Sequence, residues 1–118
     1  MSLPEIETIV RETVDALPAR FRRAIANVDI AVEDEPPPGR PLLGLYEGIP
    51  LTRRGGGYGL PSYSGTLPDR ITIYRGPLER HYGGDPGRFT EAVRHVVQHE
   101  LAHYFGISDE RLHELGAY

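Results

Sequence analysis

The chain has 118 residues, the length of one ordinary domain, so a functional site has to be built from the same elements that make the core. Its net charge is −4, and its 13 basic residues, all arginine, stand singly or in pairs such as Arg22-Arg23 and Arg53-Arg54, without the positive stripe that phosphate neutralisation needs, so nucleic acid is not the expected partner. Absent cysteine removes disulfides, thiolate ligands and thiol nucleophiles, and with neither a membrane-length apolar run nor a secretory leader pattern the expected location is the cytoplasm.

From Ser2 to Asn27, Ile6, Ile9, Val10, Thr13, Val14 and Leu17 recur at helical spacing, and Ser2 with Glu5 has the form of a capping box. Pro18 should break this helix, after which Phe21 and Ile25 carry a second short helical stretch. "VDIAVED", 28 to 34, alternates like a half-buried strand, and the prolines at 36 to 38 stop it. Between Pro36 and Gly87 lie 9 of the 11 prolines and 12 of the 14 glycines, so long helices are not expected there. Two strands are: "LLGLYEG" at 42 to 48 and "RITIYRG" at 70 to 76. The stretch between them, 52 to 65, reads as a long surface loop.

A long helix is expected to start at Asp85-Pro86, with Asp as N-cap and Pro in the first turn, and to end at Gly106. Phe89, Val93, Val96, Val97, Leu101 and Tyr104 form its buried stripe, and at about 100° per residue His99 and His103 fall on one margin of it, where a cleft wall would lie. Ser108 caps a last short helix that stops at Gly116.

"HELAHYFGISD", 99 to 109, carries the chemistry. Two imidazoles four residues apart on a helix are separated by about 6 Å along the axis and can converge on one ion at about 2.0 Å. Glu100 points roughly 100° around from His99, beside the water that the ion would activate, which is where a general base belongs. A catalytic zinc needs a third protein ligand and an open fourth position. Gly106 can turn the chain back beneath the ion, which brings Asp109 within reach; Glu110, His113 and Glu114 on the final helix compete for the place. His95, one turn earlier, suits a supporting or solvated role, and His81 a surface position near a turn.

His99-Glu100-Leu101-Ala102-His103 is the HExxH signature of the zincin metallopeptidases, and its extension to Gly106 and Asp109 resembles the metzincin pattern HExxHxxGxxH with Asp in the last place, a substitution similar to that of snapalysin-type peptidases. With "DRITIYRGPL" and "HELAHYFGISDERL", most of the chain is similar to the small bacterial zincin-like metallopeptidases. It departs from the metzincins in lacking a methionine turn, since its one Met is Met1. The resemblance implies His99, His103 and Asp109 as ligands of one Zn2+ per chain, Glu100 as general base, and hydrolysis of peptide bonds.

The expected fold is α+β: one zincin-like domain over 1–118, with the N-terminal helix and the HExxH helix packed on a small mixed or antiparallel sheet. In zincins an extended substrate pairs with an edge strand, and "LLGLYEG" suits that edge better than "RITIYRG", which leads toward the active-site helix. Candidates for stabilising an oxyanion are His113, Tyr118, Tyr58 and Tyr63. A monomer acting on a peptide or protein substrate is the expected working form. The competing function is a zinc-binding peptide-interaction module without turnover; Glu100 favours the enzyme, because a purely structural zinc site has no need of a base beside its first ligand.

Overall fold

The computed structural model describes residues 2–48 and 69–116, without the side chain of Leu3; the expected loop at 52–65 lies outside the described residues. Helix α1 spans Leu3–Asp15 and opens on a capping box: the Glu5 amide donates to Ser2 Oγ and the Ser2 amide to Glu5 Oε2, both at 3.3 Å. It stops short of Pro18, and a short helix α2, Ala19–Ala24, follows. Ile6, Ile9 and Val10 are buried on the inner face of α1, and Leu17 in the link to α2, with Phe21 and Ile25, extends that surface. Thr13 is tolerated among them because its hydroxyl donates to the Ile9 carbonyl at 2.8 Å.

Three strands, β1 (Val28–Glu33), β2 (Gly44–Glu47) and β3 (Asp69–Tyr74), form a mixed sheet in the order β1-β3-β2. The central β3 is parallel to β1 and antiparallel to β2. Hydropathy explains the order, since Ile71 and Ile73 of β3 are fully buried. The strand expected inside is inside, and among the described residues "LLGLYEG" supplies an edge.

That edge has a definite backbone polarity. The Tyr74 amide donates to the Leu43 carbonyl at 2.9 Å. Antiparallel alternation then turns Leu45 and Glu47 toward β3 and presents the N–H and C=O groups of Gly44 and Tyr46 outward. Among the described residues no strand pairs with this outer side.

One element differs from expectation. The third strand was expected to reach Gly76, but the chain leaves β3 at Tyr74 and turns at once into a helix, α3, Arg75–Tyr82. Gly76 and Pro77, which read as breakers, sit in its first turn, where proline's missing amide would have had no helical partner anyway. Glycine is favoured at 76 by close approach: its amide donates to the Asp34 carbonyl at 2.7 Å, and a Cβ would stand 2.7 Å from that same backbone oxygen as well as against the Glu35 carboxylate. Two ion pairs lock this junction, Arg75 with Asp34 at 2.9 Å and Arg80 with both oxygens of Glu35 at 2.9 and 3.0 Å. The Arg80 hydrogen bonds hold the Glu35 carboxyl below its ordinary value.

Helix α4, Pro86–Phe105, is the longest element, and its start is fixed by Asp85, whose side chain accepts from the amides of Gly87 and Arg88. Phe89, Val93, Val97, Leu101 and Tyr104 are buried, and α4 packs against α1, α3, β2 and β3. A short helix α5, Asp109–Glu114, closes the described fold with Leu112 fully buried. No described helix is long and apolar enough to cross a membrane.

Candidate metal centre

His99 and His103 stand one turn apart on α4 with ring centroids 4.5 Å apart. Their side chains are 44% and 52% exposed, the marginal position that the periodicity predicts. Glu100, next in sequence to His99, is 8% exposed by contrast, with Oε1 3.2 Å from His103 Nδ1. Three residues along the helix amount to a net turn of about 60°, so Glu100 stands closer around the axis to His103 than to its own neighbour. One ligand atom from each of His99, Glu100 and His103 falls within 4.8 Å of the others, a group able to hold a metal ion.

Beyond His103 the chain turns back by a glycine-closed cap. Gly106 adopts φ 72°, the Ile107 amide donates to Ala102 O and the Gly106 amide to His103 O, both at 3.0 Å, which satisfies the last carbonyls of α4. Ser108 then caps α5 through the Arg111 amide at 3.0 Å, and the guanidinium of Arg20 donates to the Leu115 carbonyl at 3.1 Å at the far end. The result puts Asp109 Oδ2 2.7 Å from His99 Nδ1. Asp109 is thus in direct contact with His99, although the tightest donor group is formed by His99, Glu100 and His103. Of the competing positions, Glu114 pairs with Arg111 at 3.3 Å, Glu110 is exposed and His113 has a partner of its own. His95 is exposed, stacked 6.4 Å from His99 and outside the donor group, and His81 lies in the last turn of α3. Tyr58, Tyr63 and Tyr118 lie outside the described residues.

The burial of Glu100 has a cause in β2. A Cβ on Gly44 would stand 2.6 Å from Val96 Cγ1, 3.2 Å from the Thr72 carbonyl and 3.3 Å from Glu100 Cγ, so only glycine lets the strand settle onto the helix at this level. Two residues on, Tyr46 meets Tyr104 edge to face at 5.8 Å, four helical residues further. Two strand residues advance about 6.6 Å and four helical residues about 6 Å, so β2 and α4 run alongside each other with Glu100 beneath Gly44. Sequence reasoning missed this contact. Its one signal was a glycine within an apolar strand, which can mark close approach of another element.

Two imidazoles, with the carboxylate of Asp109 against one of them, are nitrogen and oxygen donors that zinc takes, and the half-exposed histidines leave one side of the group toward solvent. The family model described as zincin-like metallopeptidase matches residues 25–117, which contain the whole sheet and every candidate ligand. No curated protein sequence matches the chain.

Proposed function

The chain belongs to the zincin-like metallopeptidase family, and on that premise we propose that it is a zinc-dependent peptidase working as a single domain and a monomer, with one zinc per chain. The observation that carries this reading is the buried Glu100 carboxylate set among two half-exposed imidazoles directly under an edge strand. His99 and His103 would hold the ion, with Asp109 as the third protein ligand. Zinc, when bound, supplies Lewis acidity toward the scissile carbonyl and makes the attacking water a far stronger acid.

The remaining steps fall to the chain's own groups. Glu100 takes the proton of the attacking water and passes it to the leaving amine. Its burial under Gly44 keeps the carboxylate from bulk solvent and fixes its direction, which favours proton transfer at a defined point. The outward N–H and C=O groups of Gly44 and Tyr46 would pair with an extended peptide and set the scissile bond over the histidines.

The 2.7 Å contact between Asp109 and His99 Nδ1 favours a second role for that carboxylate: holding the His99 ring so that Nε2 faces the ion. Either role makes Asp109 part of the centre. The module without turnover is disfavoured by Glu100, a buried acid that a structural zinc site does not need.

Metal analysis and a peptide-cleavage assay test the reading together. The purified chain should carry about one zinc, and Glu100→Gln should keep the metal while hydrolysis falls by about 10² to 10⁴. Metal-free wild-type protein removes the zinc reading. Hydrolysis unchanged in Glu100→Gln removes the base, and a zinc-loaded wild type that cleaves nothing leaves the binding module.

A further inference from the structure

The side chains of β2 divide between two faces of the sheet. Gly44 and Tyr46 are turned toward α4, where they meet Glu100 and Tyr104. By strand alternation Leu45 and Glu47 stand on the opposite face, two residues apart, Leu45 half-buried and Glu47 exposed.

Glu47 keeps its charge. The cation directly across the ladder is Arg70, but its guanidinium is taken by Glu33 at 2.6 Å, and its Nε donates to Thr72 Oγ1 at 3.3 Å. Among the described residues Glu47 forms no ion pair. Its field reaches the Tyr74 hydroxyl on the same face, which burial chiefly, and then the charges of Glu33 and Glu47, hold above its ordinary value.

The hydrogen-bond pattern brings these two side chains close to a chain on the outer side. Leu45 and Glu47 give their backbone groups to β3, so an antiparallel partner beyond β2 meets them as non-hydrogen-bonded pairs. At such positions facing Cα atoms stand about 4.5 Å apart and the side chains touch. The residue opposite Glu47 therefore meets a carboxylate that has no cation, and the residue opposite Leu45 meets an apolar side chain on the same face.

We propose that Leu45 and Glu47 select the substrate: an extended peptide is taken with a lysine or arginine opposite Glu47 and an apolar residue two positions away, opposite Leu45. The place of the peptide on β2 rests on the peptidase reading, and the preference rests on the two side chains. Glu47 stands three residues past Gly44, about 10 Å along the strand toward the His103 end of α4, so the basic residue lies to one side of the reacting bond. One exposed carboxylate at a sheet edge sorts peptides by charge without anchoring them, and an acidic residue at the same position is repelled.

The test uses the full-length, zinc-loaded Glu100→Gln chain and fluorescein-labelled nonapeptides of neutral, polar background. In one series a lysine is moved through every position against a glutamate twin, and in another a leucine against a serine twin. Anisotropy titrations should show the lysine peptide binding about threefold to tenfold tighter than its twin at one position, an advantage that shrinks with added salt, with the leucine optimum two residues away. Glu47→Lys should reverse the charge order at that position, whereas Asp29→Lys, the same change on the far edge strand, should leave it in place. A preference that survives Glu47→Lys, one that Asp29→Lys reverses equally, or none at any position overturns the assignment. A leucine optimum an odd number of residues from the lysine optimum overturns it too, because the two side chains would then lie on opposite faces of the bound strand. Cleavage of the same peptides by wild-type protein separates the two ideas. Glu47-dependent lysine binding without cleavage sinks the peptidase and keeps the selection, and cleavage indifferent to lysine position does the opposite.

Discussion

The two regions that frame the candidate site are held by different kinds of contact. Residues 85–116, which carry the candidate ligands, take their local shape from near neighbours, with the Asp85 cap, the one-turn histidine spacing, the Gly106 closure and the Ser108 cap each spanning a few residues, while Arg20 to Leu115 and Tyr104 to Ala24 tie the segment to the N-terminal helices. Residues 34–48 with 69–82 are fixed across the chain, by Arg75 to Asp34 and Arg80 to Glu35 at separations of 41 and 45 residues, and by the seating of Gly44 on α4. The difference teaches that the candidate ligand group is a local property of one helix and its turn, whereas the edge that would receive a peptide exists only once the whole fold has formed. The two should therefore fail separately.

The largest separation is expected from His103→Ala. Metal analysis should find the zinc lost, while the helical circular dichroism persists because this side chain is half exposed. Zinc retained at wild-type level would break the assignment of the pair. Asp109→Ala comes next, with zinc affinity lowered by about tenfold to a hundredfold, against a small effect of His113→Ala. The opposite order in competitive zinc titrations would transfer the role to His113.

Gly44→Ala attacks the other region. It should leave zinc stoichiometry unchanged, lower stability by about 1 to 3 kcal/mol through overpacking, and lower kcat by up to about a hundredfold as β2 lifts from Glu100. Adding Val96→Ala removes the 2.6 Å conflict and should recover much of the loss; no recovery would show that the spacing over Glu100 is not what matters. Gly106→Ala should cost about 1 to 2 kcal/mol in denaturant unfolding, because φ 72° strains any residue with a Cβ, and should loosen zinc through displacement of Asp109.

The smallest effect belongs to Arg80→Ala. Glu35 has its carboxyl lowered by the Arg80 hydrogen bonds, so the pair stabilises the fold above the ordinary carboxylate range and loses that contribution as pH falls through the lowered folded value. The two proteins should differ slightly in melting temperature at neutral pH and converge in acid. A gap that widens in acid would contradict the sign.

Legibility in the sequence follows the same division. The limits of α1 and α4 were readable because Ser2, Asp85 and Gly106 act on amides and carbonyls within a turn of themselves. The strand cores at 28 to 33, 44 to 47 and 69 to 74 were readable from alternation and apolar runs. Helix α3 was not, since Gly76 and Pro77 look like breakers until the Asp34 carbonyl and the Glu35 carboxylate are seen beside them. The histidine pair and the direction of the Asp109 turn followed from helical geometry. The cover over Glu100 did not, because Gly44 lies more than fifty residues away and no periodicity relates the two. The parallel pairing of β1 with β3 likewise depends on a crossover that local pattern does not encode.

Leu112, the Ser108 cap and the Gly106 turn fix the Asp109 segment through contacts that contain no metal. Small zinc modules draw their folding energy from the ion and collapse when it is removed. Here the apolar core from Ile6 to Leu112 contains none of the candidate ligands, so the fold is expected not to depend on metal loading. A chelator should therefore leave the helical circular dichroism and the melting transition in place, and a loss of the folded state on chelation would show that the ion holds the Asp109 segment after all.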